Sequence, residues 1–200
     1  MPSKTFLNLP PEKQRRFLDA AWAEMETVSF DKVSINRIIQ EANISRGSFY
    51  QYFEDKQDLL YYLLKTTCDN LKNALLEENK ALQGTLVEEC LHDFDWIMAR
   101  REDESLRLSQ LVHLIRINPA LALDRVMWID STEDWTQEIP FWKEEGVAAE
   151  DHVRLLYMVL ADAILRSFKY PDMIGIVRSQ LEKQLKILRR GMLIDAKGEQ

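Results

Sequence analysis

The side chains best suited to chemistry in this chain are crowded into Ser45-Arg46-Gly47-Ser48-Phe49-Tyr50-Gln51-Tyr52, with Lys56 four positions on. The polar members can all donate hydrogen bonds, and the stretch holds no carboxylate. Arginine can fork onto the O6 and N7 edge of guanine, and glutamine can pair with adenine or reach a phosphate, so Arg46 and Gln51 suit contacts with DNA. Tyr50 and Tyr52 offer rigid hydroxyls of the kind that hold phosphates and set register. Gly47 lets a helix's first turn come close to an anion, where free backbone N–H groups favour it. Lys56 adds a cation at the start of the next helix. Ser34 and Arg37, just upstream, complete the expected DNA-facing set with Ser45 and Ser48.

Two short helices are needed to present these groups. Ile35, Ile38, Ile39 and Ala42 fall on one helical face, and the Ser34 hydroxyl is placed to cap that helix. Asn43 tolerates a left-handed backbone and can end it. Ser45 can then cap a second helix, which carries Phe49 and Phe53 inward one turn apart. Helix, tight turn, helix is a DNA-reading geometry. Aromatic residues at this spacing also describe a plain packing hairpin, and Phe49 and Phe53 belong to the core on either reading.

The runs Ala42-Asn43-Ile44-Ser45, Gly47-Ser48-Phe49-Tyr50-Gln51-Tyr52-Phe53 and Lys56-Gln57-Asp58-Leu59 resemble the N-terminal DNA-binding domain of TetR-family transcriptional regulators over about residues 10–65. The resemblance implies an all-helical homodimer. Each subunit would use three N-terminal helices for DNA and a variable C-terminal domain for dimerisation and, usually, an inducer. Asn43 stands where the family usually has glycine, and Ser34 where threonine is usual. The turn accommodates the first change, and the second keeps the hydroxyl.

Composition agrees with a helical chain. Only six glycines and six prolines interrupt 200 residues, and 46% of them are hydrophobic, enough for one large or two small helical domains. No run approaches the roughly 18 apolar residues of a membrane span, and no signal-like segment opens the chain, so a cytoplasmic location is expected. Cys68 and Cys90 lack framework spacing. The net charge of −7 looks unfavourable for DNA, but residues 1–65 hold nine basic and nine acidic residues, so the excess lies further on. A neutral reading domain suits a specific site reached by a few placed contacts rather than charge-driven coating.

Along the chain, Pro10-Pro11 suits a helix start, and Glu12 to about Met25 reads as a scaffold helix carrying Phe17, Ala20 and Ala21 inward. A long helix follows from Lys56 to about Ala81. Thr85–Arg101, Ser105 to near Asn118, and Leu121–Asp130 read as further helices, and Thr132–Trp142 is broken at Pro140. The boundaries expected are 1–55 for the DNA-binding domain, 56–82 for a connecting helix and 83–200 for an effector-binding and dimerisation domain. The helix from about Ala149 to Phe168 is apolar on more than one face, and Asp172–Leu193 carries a continuous apolar stripe. A four-helix dimer interface is expected from these two, through Leu156, Leu160, Ile164, Val177, Leu181, Leu185 and Leu188.

No phosphate-cradling glycine loop, nucleophile elbow or paired-carboxylate frame is present, and the three histidines lie far apart. The expectation is therefore no enzyme, no metal and no cofactor. The aromatic middle of the chain suggests an effector pocket, with Trp96, His113 and Trp128 as candidate lining. Taken together, the chain reads as an all-α regulator. It has an N-terminal three-helix, helix-turn-helix domain and a larger C-terminal ligand-binding and dimerisation domain. It is expected to repress from a palindromic operator in double-stranded DNA until a small-molecule effector releases it. The alternative is a DNA-anchored scaffold for protein partners, without an inducer.

Overall fold

The computed structural model describes residues 2–80, 82, 85–118 and 150–198. It forms two compact units: Met1–Asn73 with Glu104–Ala122, and Ala74–Asp103 with Leu123–Gln200. These cut the chain differently from the boundaries read in the sequence, because the segment from Glu104 belongs with the N-terminal residues. Among the described residues every regular element is a helix. The expected helices within 121–142, with Trp128, lie outside the described residues.

In the first unit, α1 (Lys4–Leu7) and α2 (Pro11–Thr27) lead to α3 (Ile35–Glu41) and α4 (Arg46–Tyr52), and α5 (Lys56–Asn79) begins there. Pro11 starts α2, where its missing N–H costs nothing. Ser34 caps α3 and Ser45 caps α4. Asn43 ends α3 with φ at 52°, and the Asn43 and Ile44 N–H groups reach the carbonyls of Gln40 and Ile39 at 3.1 and 3.0 Å. That is the left-handed closure of a helix end, with asparagine in the place glycine often takes. Arg16 of α2 donates to the Ala42 carbonyl at 3.0 Å, satisfying another helix-end oxygen.

The core of this unit is aromatic. Phe6, Phe17, Phe49 and Phe53 are buried, with Phe17 stacked on Phe53 at 5.7 Å between ring centres. Phe6 comes from the opening segment, ahead of the helix start expected at Pro10-Pro11. The helix α7 (Leu108–Ile117) closes the unit against α2 through the buried Leu108, Leu111, Val112 and Leu114. It starts later than the sequence suggests, since Arg107 takes a left-handed backbone, φ 51°, just before it. Arg107 pairs with Asp19, His113 Nε2 lies 3.0 Å from the Glu26 carbonyl, and Asn118 Oδ1 accepts the Phe30 N–H at 2.7 Å.

The second unit packs α6 (Leu86–Ala99), α8 (Glu150–Lys169) and α9 (Ile174–Gly198) against one another. Thr85 and Glu88 form a reciprocal capping box at the start of α6. The residues expected at a dimer interface fall here. Leu156, Leu160, Val177, Leu181 and Leu185 are buried within the unit itself, and Ile164 and Leu188 are half-buried. Their spacing marks an apolar face but cannot say what covers it, and the subunit's own helices do so. Among the described side chains, the apolar ones left exposed on α8 and α9 are Leu155, Met158, Ile176 and Ile187, the last 68% exposed. Among the described residues no helix is long and apolar enough to cross a membrane.

Candidate nucleic-acid interface

Two turns of α4 present the candidate reading face. Ser45 Oγ accepts the Ser48 N–H at 3.0 Å and lies 2.8 Å from Ser48 Oγ, so both hydroxyls are engaged at the helix start. The first N–H groups of a helix have no partner within it, which suits an anion. Gly47 is exposed, and a Cβ there would meet only Ser45 Oγ at 3.8 Å, an ordinary contact. The fold therefore does not demand glycine at this position.

Arg46 is braced rather than free. Its Nη1 donates to Asn36 Oδ1 at 2.8 Å and its Nη2 to the Tyr50 hydroxyl at 3.4 Å, with the guanidinium 5.8 Å from the Tyr50 ring centre. The three groups come from two helices, since Asn36 sits in the first turn of α3. Such bracing lowers the conformational entropy lost when the arginine binds. Asn36 is absent from the sequence-based set. Its signal was an exposed amide opposite Ile38 on α3, which has meaning only once the angle between α3 and α4 is known. Gln51 is exposed on the same helix as Tyr50.

Four expected contact residues have other engagements. Arg37 Nη2 pairs at 2.9 Å with the buried Glu24 carboxylate, which also accepts the Ser34 N–H at 2.8 Å. This ties α3 to α2 and draws the Arg37 guanidinium back toward the scaffold. Tyr52 is half-buried, its ring 5.7 Å from Phe6 and 5.8 Å from Phe17, so most of it serves the aromatic core. Lys56 Nζ donates to the carbonyls of Phe30 and Asp31, both at 2.9 Å, and lies 4.9 Å from the Phe30 ring centre. It holds the loop before α3, with one of its three N–H donors left over. Ser34 is half-buried and its hydroxyl caps α3.

The candidate effector residues fall in different units. Trp96 is buried in the second, with the Arg100 guanidinium 4.2 Å from its ring centre; His113 is exposed in the first; Trp128 lies outside the described residues. Within the second unit a buried polar cluster joins the end of α5 to α6. Asn79 Nδ2 donates to Asp93 Oδ1 at 2.7 Å, and Asn79 Oδ1 lies 3.0 Å from His92 Nδ1. Burial pushes the Asp93 carboxyl up to about 6; burial and then Asp93 push Glu89 up to about 7. Among the described residues no group of three or more metal-ligating side chains could hold an ion.

Residues 17–63 match the family model described as bacterial regulatory proteins, tetR family. HTH-type transcriptional regulators of Staphylococcus aureus, from strains USA300, NCTC 8325 and COL, are each 33% identical over 58 residues. That match spans 29% of this chain and 31% of each relative, so it speaks for the N-terminal part alone. A crystal structure of a TetR family transcriptional regulator from Chloroflexus aurantiacus J-10-fl superposes with a TM-score of 0.56 at 27% identity, covering 96% of this chain and 98% of that one. The family model lies on the helices that carry Arg46, and the likeness to the solved regulator runs the length of the chain: residues 17–63 form a domain of the tetR family of bacterial regulatory proteins.

Proposed function

We propose that the chain is a sequence-specific DNA-binding transcriptional regulator that represses from a palindromic operator as a homodimer and is released by a small-molecule inducer. The observation that carries the DNA-reading part is the Asn36–Arg46–Tyr50 arrangement at 2.8 and 3.4 Å on an exposed helix face without a carboxylate. A fixed arginine beside a glycine turn is suited to a guanine edge, with the nearby backbone N–H groups on phosphate. The matched Staphylococcus aureus proteins bear the name transcriptional regulator, which favours the same reading.

Dimerisation is assigned to the exposed face of α8 and α9. Ile176 and Ile187 lie three turns apart on one side of α9, and Leu155 and Met158 one turn apart on α8. Large apolar side chains left in water on paired helices favour burial against a second copy. A two-fold dimer then sets two α4 helices against half-sites about 34 Å or somewhat more apart. The inducer is assigned to the second unit, the part of the chain outside the matched DNA-binding segment. Selection of bound sequences from random duplex DNA at fixed salt tests the proposal. A motif with two inverted half-sites is the expected result; salt-sensitive background binding with no motif overturns it.

A further inference from the structure

The opening residues of the chain hold the end of the recognition helix. The last carbonyls of any α-helix have no partner within it, and α4 is only seven residues long, so its exit determines its pose. Beyond it Phe53 is extended, with φ −136° and ψ 145°. Ser3 supplies the missing donors. Its hydroxyl donates to the Gln51 carbonyl at 2.5 Å and its N–H to the Tyr52 carbonyl at 2.9 Å.

Ser3 is itself anchored. Its Oγ accepts the Phe6 N–H at 3.3 Å and caps α1. Three residues on, the Phe6 ring is fully buried, with centres 5.7 Å from Phe17, 4.9 Å from Phe53, and 5.7 Å from both Tyr52 and Tyr62. The Gln14 carboxamide of α2 then donates to the carbonyls of Phe6, Leu7 and Leu9 at 3.0 to 3.1 Å. The segment is thus fixed to α2 and α5 at one end and to α4 at the other. A plug for the core needs only Phe6. The two Ser3 bonds add nothing to that plug, and both go to the helix that carries Arg46 and Gln51.

We propose that Ser3 is a positioning residue for DNA reading, holding α4 in register so that Arg46 and Gln51 meet the bases while Tyr50 meets a phosphate. This rests on the DNA-reading function proposed above. Proline fits the Ser3 backbone, because Ser3 already has φ −69°, the value proline imposes, while Ser3→Pro removes the hydroxyl and the N–H and, with the hydroxyl, the cap of α1. Binding of the full-length protein is measured against its selected operator duplex and against a random duplex of equal length, at one salt concentration and well below the melting temperature. Loss of two hydrogen bonds of ordinary net strength is expected to weaken operator binding by about five- to twentyfold, with random-duplex binding unchanged. Ser3→Thr, which keeps both donors, is expected to bind like the native protein. Phe6→Leu is expected to lower the melting temperature while keeping the ratio of operator to random affinity.

The proposal is overturned if Ser3→Pro keeps the native ratio of operator to random affinity, whether or not it melts earlier. It is also overturned if Phe6→Leu lowers that ratio as much as Ser3→Pro does, since the strap would then act through stability alone. A native protein that shows no preference between the two duplexes refutes the DNA-reading function itself. That outcome is read on the unmutated chain, before any variant is compared.

Discussion

Replacing Asp93 with asparagine should make the protein more stable at neutral pH. The Asp93 side chain is 5% exposed, and burial pushes its carboxyl from 3.8 to about 6, against smaller opposing effects of the Asn79 hydrogen bond and of His92. A carboxyl whose folded pKa lies above its unfolded value holds its proton more tightly in the folded chain. Stability is therefore complete below about pH 4 and is lost as the pH rises through the interval from 3.8 to about 6. At about 1.4 kcal/mol per pH unit, the ionised group costs about 3 kcal/mol at neutral pH. Glu89 lies one turn earlier on the same helix and is pushed from 4.5 to about 7, in part by Asp93, so the loss continues to about pH 7. Asparagine keeps the oxygen that accepts from Asn79 and removes the charge. Urea unfolding followed by far-ultraviolet circular dichroism at pH 4.5, 6 and 7.5 reads the effect. The native protein is expected to weaken across this series, and Asp93→Asn to weaken less, with an advantage at pH 7.5 of about 3 kcal/mol. Parallel pH profiles for the two proteins would refute the claim that burial of this carboxyl sets the slope.

Other expectations follow from the reading face and the exposed helices. Arg46→Ala should lower operator affinity and relax base preference, whereas Tyr50→Phe should weaken binding to all sequences alike; a selection experiment on each variant checks this. In a double-mutant cycle on operator affinity, Asn36→Ala and Arg46→Ala should couple by about 0.5–3 kcal/mol, the range for groups in direct contact. Lys56→Ala strips a partner from the Phe30 and Asp31 carbonyls and should cost about 1–3 kcal/mol of stability, measured by urea unfolding. Ile187→Asp should yield a folded monomer by sedimentation, and an unchanged dimer would remove α9 from the interface.

The helix-turn-helix was legible because its signals are local. The caps Ser34 and Ser45 and the left-handed Asn43 act within five residues of their partners, and Phe49 and Phe53 are marked as an inward pair by their own spacing. What escaped was set by distance along the chain. Ser3 and Gln51 meet across 48 residues, and no periodicity links them. Arg37 looked like a DNA contact because its partner Glu24 lies on another helix. The stripe Val177, Leu181, Leu185 was correctly seen as apolar, yet a stripe that is covered by its own subunit reads the same as one covered by a partner. Lys56 was expected in the DNA-facing set, and its partner carbonyls could be named only from the fold.

The interleaved path of the chain has a practical consequence for building hybrids. The first unit is assembled from two separate pieces, and α7 supplies Leu108, Leu111, Val112 and Leu114 to cover α2. A reading head cut out as residues 1–65 would leave that side of α2 bare and would lose the Asn118 bond to Phe30. Grafting it onto a foreign sensor would exchange the cover along with the sensor. Chimeras of this regulator should keep residues 104–118 with the head, inserting the new sensor as two segments rather than joining it at one seam.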